Sequence, residues 1–281
     1  MKRSTRMELG RQTVRIAEAG GYKTPSGRTV QLSRPIKNCL RGTRFLVPDE
    51  LEELRKQILE TPGPDLQTAF EVVNETTLQG IARLLSTGSA PVAALSFASA
   101  KNPGGGFLKG SQAQEESLVR SSALYPSLLR AEPYYQLHRV GESMLYTDAM
   151  IYSPVCPIFR DDEGRLLEEP HFAGFITSAA PNAGAAQDAR PQELPLIPET
   201  FRRRSEYVLA LAASEGYRHL VLGAWGCGVF RNDPEVVASA FAAHLLDGAW
   251  RNRFERVVFS VLDKSDDRAT FHAFHNVFTA G

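Results

Sequence analysis

Residues 92–116 read VAALSFASAKNPGGGFLKGSQAQEE, and the fold turns on how this stretch is parsed. Residues 92–98 are small and apolar without alternation, which predicts a strand covered on both faces rather than one face open to water. Gly104, Gly105 and Gly106 interrupt the run, and residues 114–122 resume with helical spacing. Strand, glycine loop and helix in that order form the unit from which α/β sheets are built.

Working outward, further near-continuous apolar strands are expected at 149–155, 172–179, 219–224 and 256–262, with helices at 199–215, 234–246 and 266–277. Upstream, residues 5–19, 50–60 and 76–86 carry apolar residues at helical spacing, and short strands are expected at 28–32 and 69–73. Residues 161–169 are polar and read as a hairpin or loop, and 181–198, with four prolines, as a long connection. The sequence therefore predicts an α/β fold preceded by a mainly helical region, with no internal repeat.

The chain has 281 residues, 43% apolar and 23% charged, which fits one or two globular domains and excludes collagenous, low-complexity and disordered classes. Lys plus Arg and Asp plus Glu are both 32, yet residues 1–44 hold 11 basic residues against only Glu8 and Glu18, a local balance of +9. That basic end either attracts a polyanion, through Arg3, Arg6, Arg11 and Arg15, or packs on the acidic remainder. Cys39, Cys156 and Cys227 are far apart and show no metal-binding spacing, so neither a disulfide scaffold nor a zinc site is expected. No run approaches the ~20 apolar residues of a membrane span, and the N-terminus has no secretory apolar core, so a cytoplasmic protein is expected.

Two loops carry the chemistry. In an open α/β sheet, ligands gather beyond the carboxyl ends of strands, where loops enter helices. The first is NPGGGFLKG, Asn102 to Gly110, followed by Gln114, Glu115 and Glu116. Glycines there let backbone N–H groups approach a sugar or phosphate, although a plain flexible turn has the same composition. Adjacent glutamates on a helix point about 100° apart, so one carboxylate can enter a pocket while the other is turned aside. Acids in a first turn are also ordinary helix-dipole chemistry, and the dipole lowers a glutamate pKa unless burial or a nearby diphosphate raises it.

The second loop is GAWGCGVFRNDP, from Gly223 to Pro234. Gly226 and Gly228 permit a backbone nest for phosphate oxygens, with Val229 and Phe230 as apolar walls or as packing inside a tight turn. Cys227 has no partner base nearby and reads as a small buried residue rather than a nucleophile.

NPGGG, the GGG followed by seven residues and QEE, and GAWGCGVFRNDP together resemble the bacterial-type poly(ADP-ribose) glycohydrolases, a branch of the macrodomain fold. The likeness runs from about Asn74 to Phe278. It implies a three-layer macrodomain-like catalytic domain at 74–281, with a mixed central sheet flanked by helices, after an N-terminal helical accessory region at 1–73. Carried over by residue, Glu116 is the acid/base, and Glu115 holds ribose hydroxyls beside Gln114. Asn102 and Gly104 to Gly106 position the distal ribose. Gly226, Cys227, Gly228, Val229 and Phe230 take the diphosphate, with Phe230 stacked on the terminal ribose. Adenine contacts are expected in part from Asp263 to Phe271, where Phe271 is either a stacking surface or core.

The implied partners are poly(ADP-ribose) and ADP-ribosylated proteins, with ADP-ribose as product; no cofactor, metal, membrane or specific nucleic acid is implied, and a monomer is expected. A non-catalytic ADP-ribose-binding module is the alternative, against which the paired glutamates argue. A nucleic-acid protein is suggested only by the basic N-terminus, with no matching motif. Arg202, Arg203 and Arg204 read as a solvated helix face rather than a polyanion contact. His272 and His275 at i,i+3 are weak evidence for a metal, and Asp161-Asp162-Glu163-Gly164 reads as a solvent-exposed turn rather than a calcium loop.

Overall fold

Ala93 and Leu95 pack into one apolar cluster while Val92 and Ala94 pack into another. Successive side chains of one strand thus feed two cores, which is why residues 92–98 show no polar alternation. The computed structural model describes residues 1–64, 66–88 and 90–279.

In chain order the first elements are α1 (Arg3–Ala19), the hairpin of β1 (Gly21–Lys23) and β2 (Thr29–Gln31), α2 (Ser33–Gly42), β3 (Arg44–Leu46), α3 (Pro48–Glu60) and β4 (Ala69–Val73). Next come α4 (Thr77–Ser86), β5 (Val92–Phe97), α5 (Gln114–Ser121), α6 (Leu124–Arg130), α7 (Glu132–Val140), β6 (Met150–Arg160) and β7 (Leu166–Ser178). The chain continues through α8 (Ala183–Ala189), α9 (Ile197–Ser214), β8 (His219–Leu222), α10 (Pro234–Leu245), β9 (Arg256–Ser260) and α11 (Ala269–Phe278), with short 3-10 turns at Phe107–Lys109 and Pro191–Leu196.

Seven strands form one mixed sheet in the order β3-β6-β7-β5-β8-β9-β4. β7, β5, β8, β9 and β4 are parallel, and β6 and β3 continue the sheet antiparallel. One face is covered by α3, α9, α10 and α11, and the other by α2, α4, α5, α6 and α7, giving three layers. Both edge strands, β3 and β4, come from the first 73 residues, so that region and residues 74–281 share one sheet.

Local signals explain the element ends. Gly20 adopts φ 70° and closes α1 with its N–H on the Ile16 carbonyl. Thr76 and Gln79 form a reciprocal capping box at α4, and Asp233 caps α10 ahead of Pro234. Residues 161–165 turn between β6 and β7, but 166–169 already belong to β7. The expected connection at 181–198 contains α8 and a 3-10 turn, and α2, α6 and α7 add to the helices read from sequence.

The arginine triplet corrects the sequence reading most clearly. Arg204 is fully buried: its Nε donates to Asp148 Oδ1 at 2.8 Å, Nη1 to the Ala179 carbonyl at 2.7 Å and Nη2 to the Leu145 carbonyl at 2.9 Å. Arg203 donates to Asp148 Oδ2 at 2.6 Å but stays exposed, as does Arg202, so Arg204 alone turns inward. Three consecutive helical residues fan over about 200°, so a triplet at a buried helix cannot lie on one face. Arg204→Met should cost about 3–5 kcal/mol, because Asp148 and two carbonyls lose a buried donor. Denaturant unfolding would measure it, with Arg202→Met as the near-neutral control.

Candidate active site

The site begins where the sheet splays. β5 pairs with β7 from Ala93 opposite Gly174 to Phe97 opposite Ser178, but with β8 only from Val92 opposite His219 to Ala94 opposite Val221. The Ala98 N–H bonds to Ser178 of β7, so the Phe97 N–H and Leu95 carbonyl point the other way, into the gap. Gln114 fills it. Its Oε1 accepts from the Phe97 N–H at 2.9 Å, and its Nε2 donates to the Leu95 carbonyl at 2.8 Å and to Thr77 Oγ1 at 3.0 Å. The expected ligand-side residue is therefore a clamp that pins the first turn of α5 to β5 and α4. The loop after β5 leads to α5 on one face of the sheet, whereas the loop after β8 leads to α10 on the other. This is the topological switch point at which α/β sheets bind ligands.

A cavity of about 940 Å³ occupies this position, lined by both loops. Asn102, Gly105, Gly106, Gln114, Glu115, Glu116 and Gly226 to Phe230 all border it. Glu115 is buried, and its Oε2 accepts the Ser99 N–H at 2.7 Å. Burial pushes its pKa well above the ordinary carboxylate range, reinforced by the Glu116 charge and opposed by the Ser99 and Gly104 N–H groups. Its Oε1 is buried with no hydrogen-bond partner. Glu116 is half-buried, and its Oε1 accepts the Gly106 N–H at 3.0 Å. The two carboxylates thus stand side by side in unlike environments.

The three glycines do not form a single open wall. Gly105, at φ 59°, is the one whose Cβ would strike Glu116 Oε1, so its missing side chain leaves room for that carboxylate. Gly104 is turned instead against Val119 and Phe107 and does not line the cavity. A Cβ on Gly106 would meet the Ser111 side chain.

The second loop is held by its own polar groups. Asn232 Nδ2 donates to the Pro181 carbonyl at 2.7 Å and to the Gly226 carbonyl at 3.0 Å. At Gly226, φ 76°, a Cβ would lie 2.5 Å from both Ala180 Cβ and Asn232 Nδ2. Trp225 Nε1 donates to the Ser178 carbonyl at 3.0 Å, anchoring the loop to the end of β7. Val229 is 80% exposed, while Phe230 is half-buried with its ring 6.2 Å from that of Tyr146. Burial pushes the Cys227 thiol up to about 12, which keeps it protonated at neutral pH and fits a packing residue.

Sequence reasoning missed Asp162. It lines the cavity, accepts from Thr76 Oγ1 at 2.6 Å and has its pKa raised by burial, which corrects the solvent-exposed turn. Phe271 does not line the cavity; it packs against the core, and Asp263 and Thr270 line the cavity instead. Among the described residues no group of three or more His, Cys, Asp or Glu converges to hold a metal, and no helix is long and apolar enough to cross a membrane.

Glu115 links the site to stability. An acid whose folded pKa is raised stabilises the fold only while protonated; that contribution is full below the ordinary glutamate value and falls as pH rises toward the folded one. Glu115→Gln should therefore melt higher than the parent at pH 8, by about 2–4 °C per kcal/mol that the buried charge costs. The gap should close toward pH 4. Melting curves across that range check it.

Residues 10–161 match the family described as microbial-type PARG, catalytic domain. No curated protein matches the chain. The X-ray structure of poly(ADP-ribose) glycohydrolase from Thermomonospora curvata bound to the inhibitor ADP-HPD is similar with a TM-score of 0.90 at 45% identity, covering 97% of this chain and 99% of that one. A glutamate-to-alanine mutant of the Thermomonospora curvata enzyme gives a TM-score of 0.91 at 45% identity over 98% and 100%. Poly(ADP-ribose) glycohydrolase from Deinococcus radiodurans in complex with ADP-ribose gives 0.82 at 50% identity over 87% and 97%. Over half of the sequence matches the family, and the Thermomonospora curvata structures are similar over 97–98% of the chain: the chain belongs to the microbial-type poly(ADP-ribose) glycohydrolases.

Proposed function

We propose that the chain hydrolyses the ribose-to-ribose O-glycosidic bonds of poly(ADP-ribose), releasing ADP-ribose mainly from chain ends. The observation that carries this reading is the pair of adjacent carboxylates, one buried and one half-buried, facing Gly105 in the cavity. Such a pair divides labour. Glu116, in its acid form, donates a proton to the leaving ribose oxygen as the glycosidic bond breaks and positive charge grows on the anomeric carbon. The substrate's own diphosphate, taken by the backbone from Gly226 to Phe230, lies close enough to ease that charge. The Glu116 carboxylate then removes a proton from water, whose oxygen bonds to the anomeric carbon and restores the acid. Glu115 holds the ribose hydroxyls: its carboxyl borders the cavity, and its Oε1 has no hydrogen-bond partner within the protein.

This arrangement differs from glycosidases that set two carboxyl groups on opposite sides of the bond, because neighbours on one helix approach from one side. Asn102 and the Gly105–Gly106 backbone position the distal ribose, and Phe230 packs on the terminal one. Phe230 lines the cavity with its ring 6.2 Å from that of Tyr146, which supports the reading that it closes the space past that ribose and favours a chain end over an internal segment.

Incubation with automodified polymer tests the proposal. The parent should release free ADP-ribose, with few oligomers among early products. Glu116→Gln should lower the rate by at least about 10²-fold while still binding ADP-ribose, since general acid–base groups contribute ~10²–10⁴. Cleavage by Glu116→Gln near the parent rate overturns the assignment of Glu116, and binding without release by the parent makes the chain a binding module.

A further inference from the structure

The glycine loop has a second side, and α1 is docked against it. Arg6 Nε donates to the Gly110 carbonyl at 2.8 Å, and Arg3 Nε to the Lys109 carbonyl at 3.0 Å. One turn on, Gly10 lets the helix lie almost backbone to backbone with the loop: a Cβ there would be 3.3 Å from both the Phe107 ring and its carbonyl oxygen. The close fit is reciprocal. Gly110 adopts φ 74°, and a Cβ on it would lie 2.6 Å from the Arg3 carbonyl and 2.9 Å from Met7 Cγ. Farther along, Thr13 Oγ1 donates to the Arg120 carbonyl near the end of α5. Arg120 returns to the loop, donating to the Ser111 carbonyl at 2.8 Å and to Gln112 Oε1 at 2.7 Å.

Inside this frame the path to the carboxylate is short. The Gly106 carbonyl accepts the N–H groups of Lys109 and Ser111, and the Gly106 N–H donates to Glu116 Oε1. A loop rich in glycine has little stiffness of its own, since each such residue has wide backbone freedom to lose. Fixing the carbonyls of Lys109 and Gly110 from outside therefore fixes the Gly106 N–H, and with it the orientation of Glu116. We propose that Arg3 and Arg6 are positioning residues, and that α1 serves as the outer clamp of the catalytic loop. This rests on the reading of Glu116 as the acid/base. It gives the two arginines a role other than attracting polymer.

Charge and donor can be separated. Gln places an Nε2–H donor at the same bond distance from Cα as Arg Nε–H but carries no charge, and Met fills similar space with no donor. For Arg3→Met/Arg6→Met, kcat for ADP-ribose release should fall at least about tenfold, because small misplacements of a catalytic group cost up to ~10²-fold. KM for polymer and Kd for ADP-ribose should change less than kcat does, since Arg3 and Arg6 do not line the cavity themselves. Arg3→Gln/Arg6→Gln should restore kcat to within about threefold of the parent.

A Gln variant as impaired as the Met variant, or a Met variant altered only in KM for polymer, would mean that the arginines act by charge and overturns the proposal. A Met variant with lowered Tm but unchanged kcat does the same. Exchange of the Gly106 amide is the companion measurement: it should quicken in the Met variant and return to the parent rate in the Gln variant. That readout needs no turnover. Should the parent release no ADP-ribose, the enzymatic reading fails while exchange still decides whether α1 holds the loop.

Discussion

The gap between β5 and β8 is the constraint from which the site follows. A parallel sheet wants every N–H and carbonyl of an interior strand paired, and β5 ends with two such groups facing no strand. One amide side chain satisfies both. Because that side chain belongs to Gln114, satisfying β5 fixes the start of α5, and the next two residues are Glu115 and Glu116. Backbone satisfaction at the sheet and placement of the carboxylates are thus one event. A shorter or singly functional side chain at 114 would leave a buried backbone group unpaired, at about 1–3 kcal/mol, and free the helix to shift.

From that anchor, electrostatics divides the pair. Both glutamates sit in the first turn of α5, where a helix dipole favours the anion. For Glu115 burial outweighs it: two backbone N–H groups oppose the rise and do not cancel it. The cost of holding a carboxyl group in such a place is borne by a fold with two large apolar cores, and sites of this kind are where local rules are expected to break. Glycine plays a correspondingly narrow part. At Gly105 its absence of a side chain leaves room for the Glu116 carboxylate, and at Gly226 it lets the second loop close on Asn232.

The sequence made the parallel core legible because its strands are covered on both faces, and the ends of α1, α4 and α10 because capping residues act locally. The helices α2, α6 and α7 were not legible: each is ten residues or shorter, and its apolar stripe is defined by what it packs on more than by period. Arg204 was read as solvated because composition cannot say which member of a triplet turns inward; that depends on Asp148, 56 residues away. Asp162 was missed for the same reason, since its partner Thr76 is 86 residues distant. Gln114 was found as part of a motif, but its role as a clamp needed the register of β5 against both neighbours.

The charge asymmetry can now be assigned. Arg28 pairs with Glu169, Arg44 with Glu215, and the Ser26 N–H donates to Glu168, all across from the basic first segment to the acidic remainder. Arg11 and Arg15 lie beside Glu8 on their own helix. Exposed pairs of this kind contribute little individually, about 0–1 kcal/mol, so the fold does not rest on them. They do lower the net field that the segment presents to solvent. The Nε–H groups of Arg3 and Arg6 are committed to loop carbonyls, so a polyanion would meet guanidinium edges already fixed in space. Of the eleven basic residues in 1–44, Arg11, Arg15, Arg28 and Arg44 thus meet carboxylates, while Arg3 and Arg6 act on the catalytic loop by geometry before they act on any ligand by charge.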